Sequence, residues 1–183
     1  MKRCFVLPLL VISAILILTS CNKDEQGKIS VKLIDAPADF VEVNVEVNSV
    51  WAHYAGNGNQ SGEWIELVSN PGIYDLLTLQ NGVEAVIVDP ASLPVGKITQ
   101  LRLILGDNNY AIEYQDSTAI QHDLSLSSQQ NTGIKIVPNI EIKPNLTANV
   151  TLDFDVEKSI VETQEGNYKL KPVIKIANID YAP

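Results

Sequence analysis

The chain has 183 residues, 45% of them hydrophobic, and its 22 acidic against 13 basic side chains give a formal net charge of −9. That length suits a single domain able to bury a sizeable core, and the acidity disfavours nucleic acid, whose phosphates call for lysine and arginine. The two cysteines, Cys4 and Cys21, both fall near the N-terminus, so the body of the chain has no disulfide, no thiol nucleophile and no cysteine-ligated metal.

Lys2 and Arg3 precede an apolar run from Phe5 to Leu18. The run is shorter than the ~20 residues of a spanning helix and fits the h-region of a secretory leader. It closes on Leu18-Thr19-Ser20-Cys21, which resembles the bacterial lipobox Leu-[Ala/Ser/Thr]-[Gly/Ala/Ser]-Cys. The resemblance implies cleavage after Ser20 and a diacylglyceryl thioether on Cys21, a covalent lipid and no other cofactor. Each buried CH₂ contributes about 0.8 kcal/mol, so two acyl chains hold a protein stably at a membrane. Cleavage removes Lys2 and Arg3 from the 13 basic residues, leaving 11 − 22 = −11. Lys23-Asp24-Glu25 then resembles the surface-export signal of Bacteroidota lipoproteins and also reads as a charged, solvated tether. The expected organisation is a leader over 1–20, a lipidated tether over 21–28 and one domain over 29–183. The expected location is the outer membrane, facing the cell exterior.

Strand periodicity dominates from Ile29 onward. Ile29, Val31 and Leu33 alternate with polar residues. Val41, Val43, Val45 and Val47 alternate with Glu42, Asn44, Glu46 and Asn48, and their odd phase continues to Trp51, which it points inward. Tyr54 falls on the polar phase, and Trp64 lies opposite Ile65 on the outer face beside Glu66. Leu101, Leu103 and Leu105 form another alternating run, as do Ala148, Val150, Leu152, Phe154 and Val156. Tyr168, Leu170, Pro172, Ile174 and Ile176 form a last long one. Its phase shifts to Ile179 and Tyr181, which predicts a bulge near Ala177. Pro172 has no N–H to give a ladder and belongs at an edge or a bulge.

Turn residues separate these runs at Asp35-Ala36-Pro37, Asn57-Gly58-Asn59, Asn70-Pro71-Gly72, Asn81-Gly82 and Gly106-Asp107-Asn108-Asn109. Helical turns are expected only at 155–160, with Asp155 as N-cap, and around 73–79. Short strands at this spacing predict an all-β fold, an antiparallel sandwich of the transthyretin or immunoglobulin class with at most short helical turns.

Several segments occur in an order that resembles a known family: Leu33-Ile34-Asp35-Ala36-Pro37, Leu76-Leu77-Thr78-Leu79-Gln80-Asn81-Gly82, Leu93-Pro94-Val95-Gly96, Gln100-Leu101-Arg102-Leu103, Gly133-Ile134-Lys135, Leu152-Asp153-Phe154-Asp155, Lys158-Ser159-Ile160-Val161 and Tyr168-Lys169-Leu170-Lys171-Pro172-Val173-Ile174. Together they resemble the exported lipoproteins catalogued as domain of unknown function 4382. The resemblance runs from about Lys28 to Ile176. It implies a β-sandwich at the surface of Bacteroidota-like cells and transfers no catalytic or binding residue.

Few constellations carry chemistry. Asp153 and Asp155 sit two apart, about 7 Å on one face of a strand. With Asp35 they are candidate ligands for Ca²⁺, which takes six to eight oxygens, although no calcium-loop spacing is present. The simpler reading pairs them with Lys158 or with Lys169, Lys171 or Lys175 across the sheet. Trp64 and Tyr54 flank the 55–62 loop and are candidates for stacking on a sugar or apolar ligand. The alternative is a cross-strand aromatic pair that stabilises a hairpin. His53 and His122 are the only histidines. No Gly-x-Ser-x-Gly or His-Glu-x-x-His pattern accompanies them. Asp116-Ser117-Thr118 resembles the short glycosylation signal of Bacteroidota exported proteins and reads equally as a polar turn. The expected function is a non-enzymatic binding module whose partner is a glycan or an envelope protein. The alternatives are a structural subunit built by edge-strand pairing and a carboxylate-dependent glycan hydrolase.

Overall fold

The computed structural model describes residues 25–35, 39–56, 62–127 and 132–183. The leader, Cys21, Lys23 and Asp24 lie outside them, as does the turn expected at Asn57-Gly58-Asn59. In chain order the strands are β1 (Gln26–Asp35), β2 (Glu42–Tyr54), β3 (Glu63–Leu67), β4 (Gly72–Asp75), β5 (Ala85–Pro94), β6 (Gly96–Leu105), β7 (Tyr110–Gln115), β8 (Thr118–Leu126), β9 (Ile134–Ile136), β10 (Ile140–Ile142), β11 (Thr147–Phe154), β12 (Ile160–Glu162), β13 (Tyr168–Leu170) and β14 (Ile174–Ala182). A 3₁₀ turn at Leu76–Thr78 and a one-turn helix, α1, at Val156–Ser159 complete the fold.

The strands form two sheets. The smaller has the order β14-β11-β1-β5. The larger runs β10-β6-β2-β7-β8-β13-β12, with β3 and β4 along the free side of β2 and β9 along β6. The sheets pack as a sandwich, but a mixed one rather than the antiparallel one expected. β1 lies parallel to β11, Lys28 opposite Thr147, and β13 lies parallel to β8. A parallel pair needs a long crossover, and here most of the larger sheet lies between β1 and β11 in sequence. Residues 26–28, expected in the tether, already pair with Pro94, Leu93 and Ser92 of β5.

Alternation builds the core. Ile29, Val31 and Leu33 of β1 and Ala148, Val150, Leu152 and Phe154 of β11 are buried. So are Val43, Val45 and Val47 of β2 and Ile98, Leu101 and Leu103 of β6. All belong to one apolar cluster. Removing such side chains from water contributes about 1.5–3 kcal/mol each.

One irregularity reorients an entire half-strand. Val47 faces Leu105 while Ser49 faces Ile104, so Asn48 is an extra residue in β2. Such a bulge reverses the inward phase. Val50, Ala52 and Tyr54 therefore turn into the core, and Trp51 and His53 turn out. This corrects both aromatic expectations: Trp51 is half-exposed, while Tyr54 is only 8% exposed and its hydroxyl donates to the Val95 carbonyl at 3.0 Å.

The last apolar run is also divided. β13 joins the larger sheet and β14 the smaller, and Lys171-Pro172-Val173 crosses between them. Pro172, with no N–H to contribute, occupies the crossing. The bulge expected near Ala177 is present: Leu152 faces Ile176 and Thr151 faces Asn178, leaving Ala177 without an opposite residue. The expected N-cap is also present, since Asp155 accepts from the Lys158 amide at 3.1 Å.

Candidate functional site

The outer face of the larger sheet concentrates unusual residues around β2. The register places Glu66 of β3, Trp51 of β2, Arg102 of β6 and Lys135 of β9 in one row across four strands. The neighbouring row is Trp64, His53 and Gln100. Each of these positions alternates with an inward apolar one, as Arg102 does with buried Leu101 and Leu103. The face thus holds both tryptophans of the chain, one of its two histidines and its only arginine beyond Arg3.

Arg102 starts on β6 yet its guanidinium lies 4.2 Å from the ring centre of Trp64 on β3. It must therefore reach across β2, over the gap between Trp51 and His53. A guanidinium stacked on an indole is a favourable cation–π contact, about 0.5–1 kcal/mol at an exposed position. His53 meets Trp64 edge to face at 5.2 Å. Its Nδ1 lies 2.7 Å from the Thr99 hydroxyl, which fixes the ring. Trp51 Nε1–H donates to Ser49 Oγ at 3.1 Å, so this indole is also held in one orientation.

Two glycines permit this closeness. A Cβ at Gly62 would overlap the His53 imidazole. Gly133, at φ +94°, lies against the Arg102 methylenes, where a Cβ would displace them. Backbone thus packs directly on the stem of Arg102 and limits its freedom.

The family described as Domain of unknown function (DUF4382) matches residues 26–172. The chain belongs to the DUF4382 family. No curated protein and no solved structure matches the chain.

The remaining candidate residues of this DUF4382 domain are dispersed. Trp64 is on the outer face as expected, but one side of its ring is covered by Arg102 and its edge by His53. Trp64 thus pairs across the strands with His53. Tyr54, buried on the other side of the sheet, has no part in it. Trp51, His53, Arg102 and Lys135 take its place. Sequence alone carries a sign of them: Val50 and Ala52 are apolar at even positions, which marks a phase change after Asn48, and Arg102 alternates with leucines.

The three aspartates proposed for Ca²⁺ serve other groups. Asp35 Oδ1 accepts from the Val156 amide at 3.2 Å, and Asp155 caps the same helical turn from within the chain. Asp153 pairs with Lys175 at 2.9 Å. Among the described residues no group of three or more His, Cys, Asp or Glu is placed to hold a metal ion. Glu25, the one described member of the export segment, accepts at its carbonyl from Val95 N at 3.0 Å.

His122 sits apart from the Trp face, 2.9 Å from Glu113 and 4.5 Å from the ring of Tyr168. Burial raises the Tyr168 phenol above its ordinary pKa, and Glu113 and Glu162 add to this. Tyr168 in turn meets Phe40 edge on at 6.1 Å. The cluster ties β7, β8 and β13 together.

Asp116-Ser117 forms the two-residue turn of the β7–β8 hairpin, Gln115 opposite Thr118, with φ of 49° and 66°. Both values are those of a type I′ turn, which favours glycine at its second position. Ser117→Gly is expected to raise stability by about 1 kcal/mol, read as a rise of roughly 2–4 °C in Tm. An unchanged or lower Tm would rule out strain at this turn.

Proposed function

We propose that this DUF4382 domain is a non-enzymatic binding module of the cell envelope, anchored by lipid on Cys21 to the outer membrane and facing the exterior. Its recognition surface is the face formed by Trp51, His53, Trp64 and Arg102, and its ligand is a glycan. The observation that carries this reading is that these four side chains gather outside the core, in fixed orientations, on a sheet face that is ordinarily polar. Rigid aromatic rings offer contact area at low entropic cost, and sugars present the C–H faces that such rings bind. The lipobox and the Lys23-Asp24-Glu25 segment support the location.

Two experiments test it. A glycan array probed with wild type should show a restricted set of bound sugars, and Trp51→Ala should weaken them about tenfold or more, as loss of a binding anchor does. An empty array, or binding that Trp51→Ala and Trp64→Ala both leave unchanged, would remove the platform. Cys21→Ala should move the full-length protein from the membrane fraction to the soluble fraction. Retention in the membrane would refute the anchor.

Assembly through strand pairing is served less well. β14 ends the smaller sheet, but it carries Lys175, Asp180 and the bulge at Ala177, devices that discourage a further strand. The hydrolase alternative lacks a paired site at Asp153 and Asp155, whose carboxylates are bound to Lys175 and Lys158.

A further inference from the structure

We infer that the ligand of this face is an anionic glycan, one whose carboxylate or sulfate is received by Arg102; the inference rests on the binding role proposed above. Three lysine–carboxylate ion pairs and the His122–Glu113 contact occur among the described residues, and Arg102 takes part in none of them. No hydrogen-bond partner for its guanidinium is found among those residues either. Lys32, Lys158 and Lys175 pair with carboxylates, whereas Arg102 instead meets the Trp64 ring.

Its posture explains what it is for. The guanidinium lies over the Trp64 ring, 4.2 Å from its centre, and its N–H groups have no hydrogen-bond acceptor among the described residues. An Arg fork matches the two oxygens of a carboxylate or sulfate. Stacking and the backbone at Gly133 hold the fork in place before binding, which lowers the entropic cost of forming the contact. Lys135 follows in the same row and adds a second positive charge. The guanidinium lies over Trp64 of β3, and Trp51 on the adjoining β2 is the ring on which the pyranose would rest, its acid group toward Trp64.

Purified residues 21–183 with Cys21→Ser would be titrated with three oligosaccharides: oligogalacturonate for carboxylate, a sulfated galactan for sulfate, and an unsulfated galactan as the neutral case. At least one acidic ligand should bind tenfold or more tighter than the neutral one, and its affinity should fall with rising salt. Arg102→Gln should weaken the acidic ligand by about tenfold to a hundredfold, the cost of a lost charged hydrogen bond, a larger loss than it causes for the neutral galactan. Arg102→Lys should recover only part of the loss, because it keeps the charge and loses the fork. Far-ultraviolet circular dichroism and Tm would confirm that each variant folds. Preference for one acidic ligand names the acid group and supports the inference. Equal binding of acidic and neutral galactans, unaffected by Arg102→Gln but lost in Trp51→Ala, would overturn the anionic assignment and leave the binding role standing. Absence of binding to all three and to a broader array would overturn both.

Discussion

Phe154→Ala should lower the free energy of unfolding by about 3–5 kcal/mol, the usual cost of deleting a buried aromatic ring. Phe154, at 0% exposure, is the largest wholly buried side chain among the described residues. It lies on β11 between Asp35 of β1 and Ile174 of β14, so three strands of the smaller sheet meet around it. A domain stable by about 5–15 kcal/mol would lose a large fraction of that margin. Urea unfolding followed by tryptophan fluorescence reads the loss directly, since Trp51 and Trp64 are on the opposite sheet. Phe154→Leu should cost about 1–2 kcal/mol, because it keeps much of the volume. A loss below 1 kcal/mol for the alanine variant would mean that the smaller sheet does not close the core at this end.

Asp155→Ala should cost about 1–2 kcal/mol through the lost cap alone, and more because the residue is buried. Its carboxylate accepts from Lys158 N and pairs with Lys158 Nζ, while its own carbonyl accepts from Ser159 N at 3.0 Å. Ser159, wholly buried, accepts at Oγ from Val173 N at 2.8 Å. The turn thus organises the crossing from β13 to β14. The side-chain bond from Lys158 holds the Asp155 carboxyl below its ordinary pKa, against the opposing effect of burial. The same bond raises the Lys158 ammonium above its ordinary value. A lowered acid stabilises the fold above the unfolded carboxylate pKa of about 4. That contribution disappears as pH falls through the still lower folded value. A raised ammonium stabilises below the unfolded lysine pKa of about 10.4 and is lost as pH climbs through the folded value. The difference between wild type and Asp155→Asn should therefore be flat through neutral pH and shrink toward both extremes. A difference that grew on acidification would contradict the pairing.

Local patterns were readable where each residue answers only to its neighbours. Asp155 before a short polar-apolar turn, and the shift from Ile176 to Ile179, could be seen because capping and a phase change leave marks within a few positions. The bulge at Asn48 was harder to place. Val47 and Val50 are both apolar, and only the register against Leu105 and Ile104 shows which residue is extra. That single position decides the candidate site, since it exchanges Tyr54 for Trp51 and His53. Nor does any local pattern state that Arg102 reaches a tryptophan two strands away, or that β1 lies beside β11. Both facts belong to pairings between distant segments. The apolar run through Pro172 shows the same limit, because its alternation is continuous while its two halves serve different sheets.

The place of β1 has a consequence for how the domain comes into being. Its antiparallel neighbour, β5, follows within the first half of the chain, but its parallel neighbour, β11, begins at Thr147. Contacts of such sequence separation form slowly, because a long loop must close before they repay it. A ribosome that has released only the first hundred residues has nothing to set beside that side of β1. That strand must wait, its hydrogen-bonding edge unsatisfied, until the last fifth of the polypeptide arrives. The sandwich therefore closes as a late event of the whole chain.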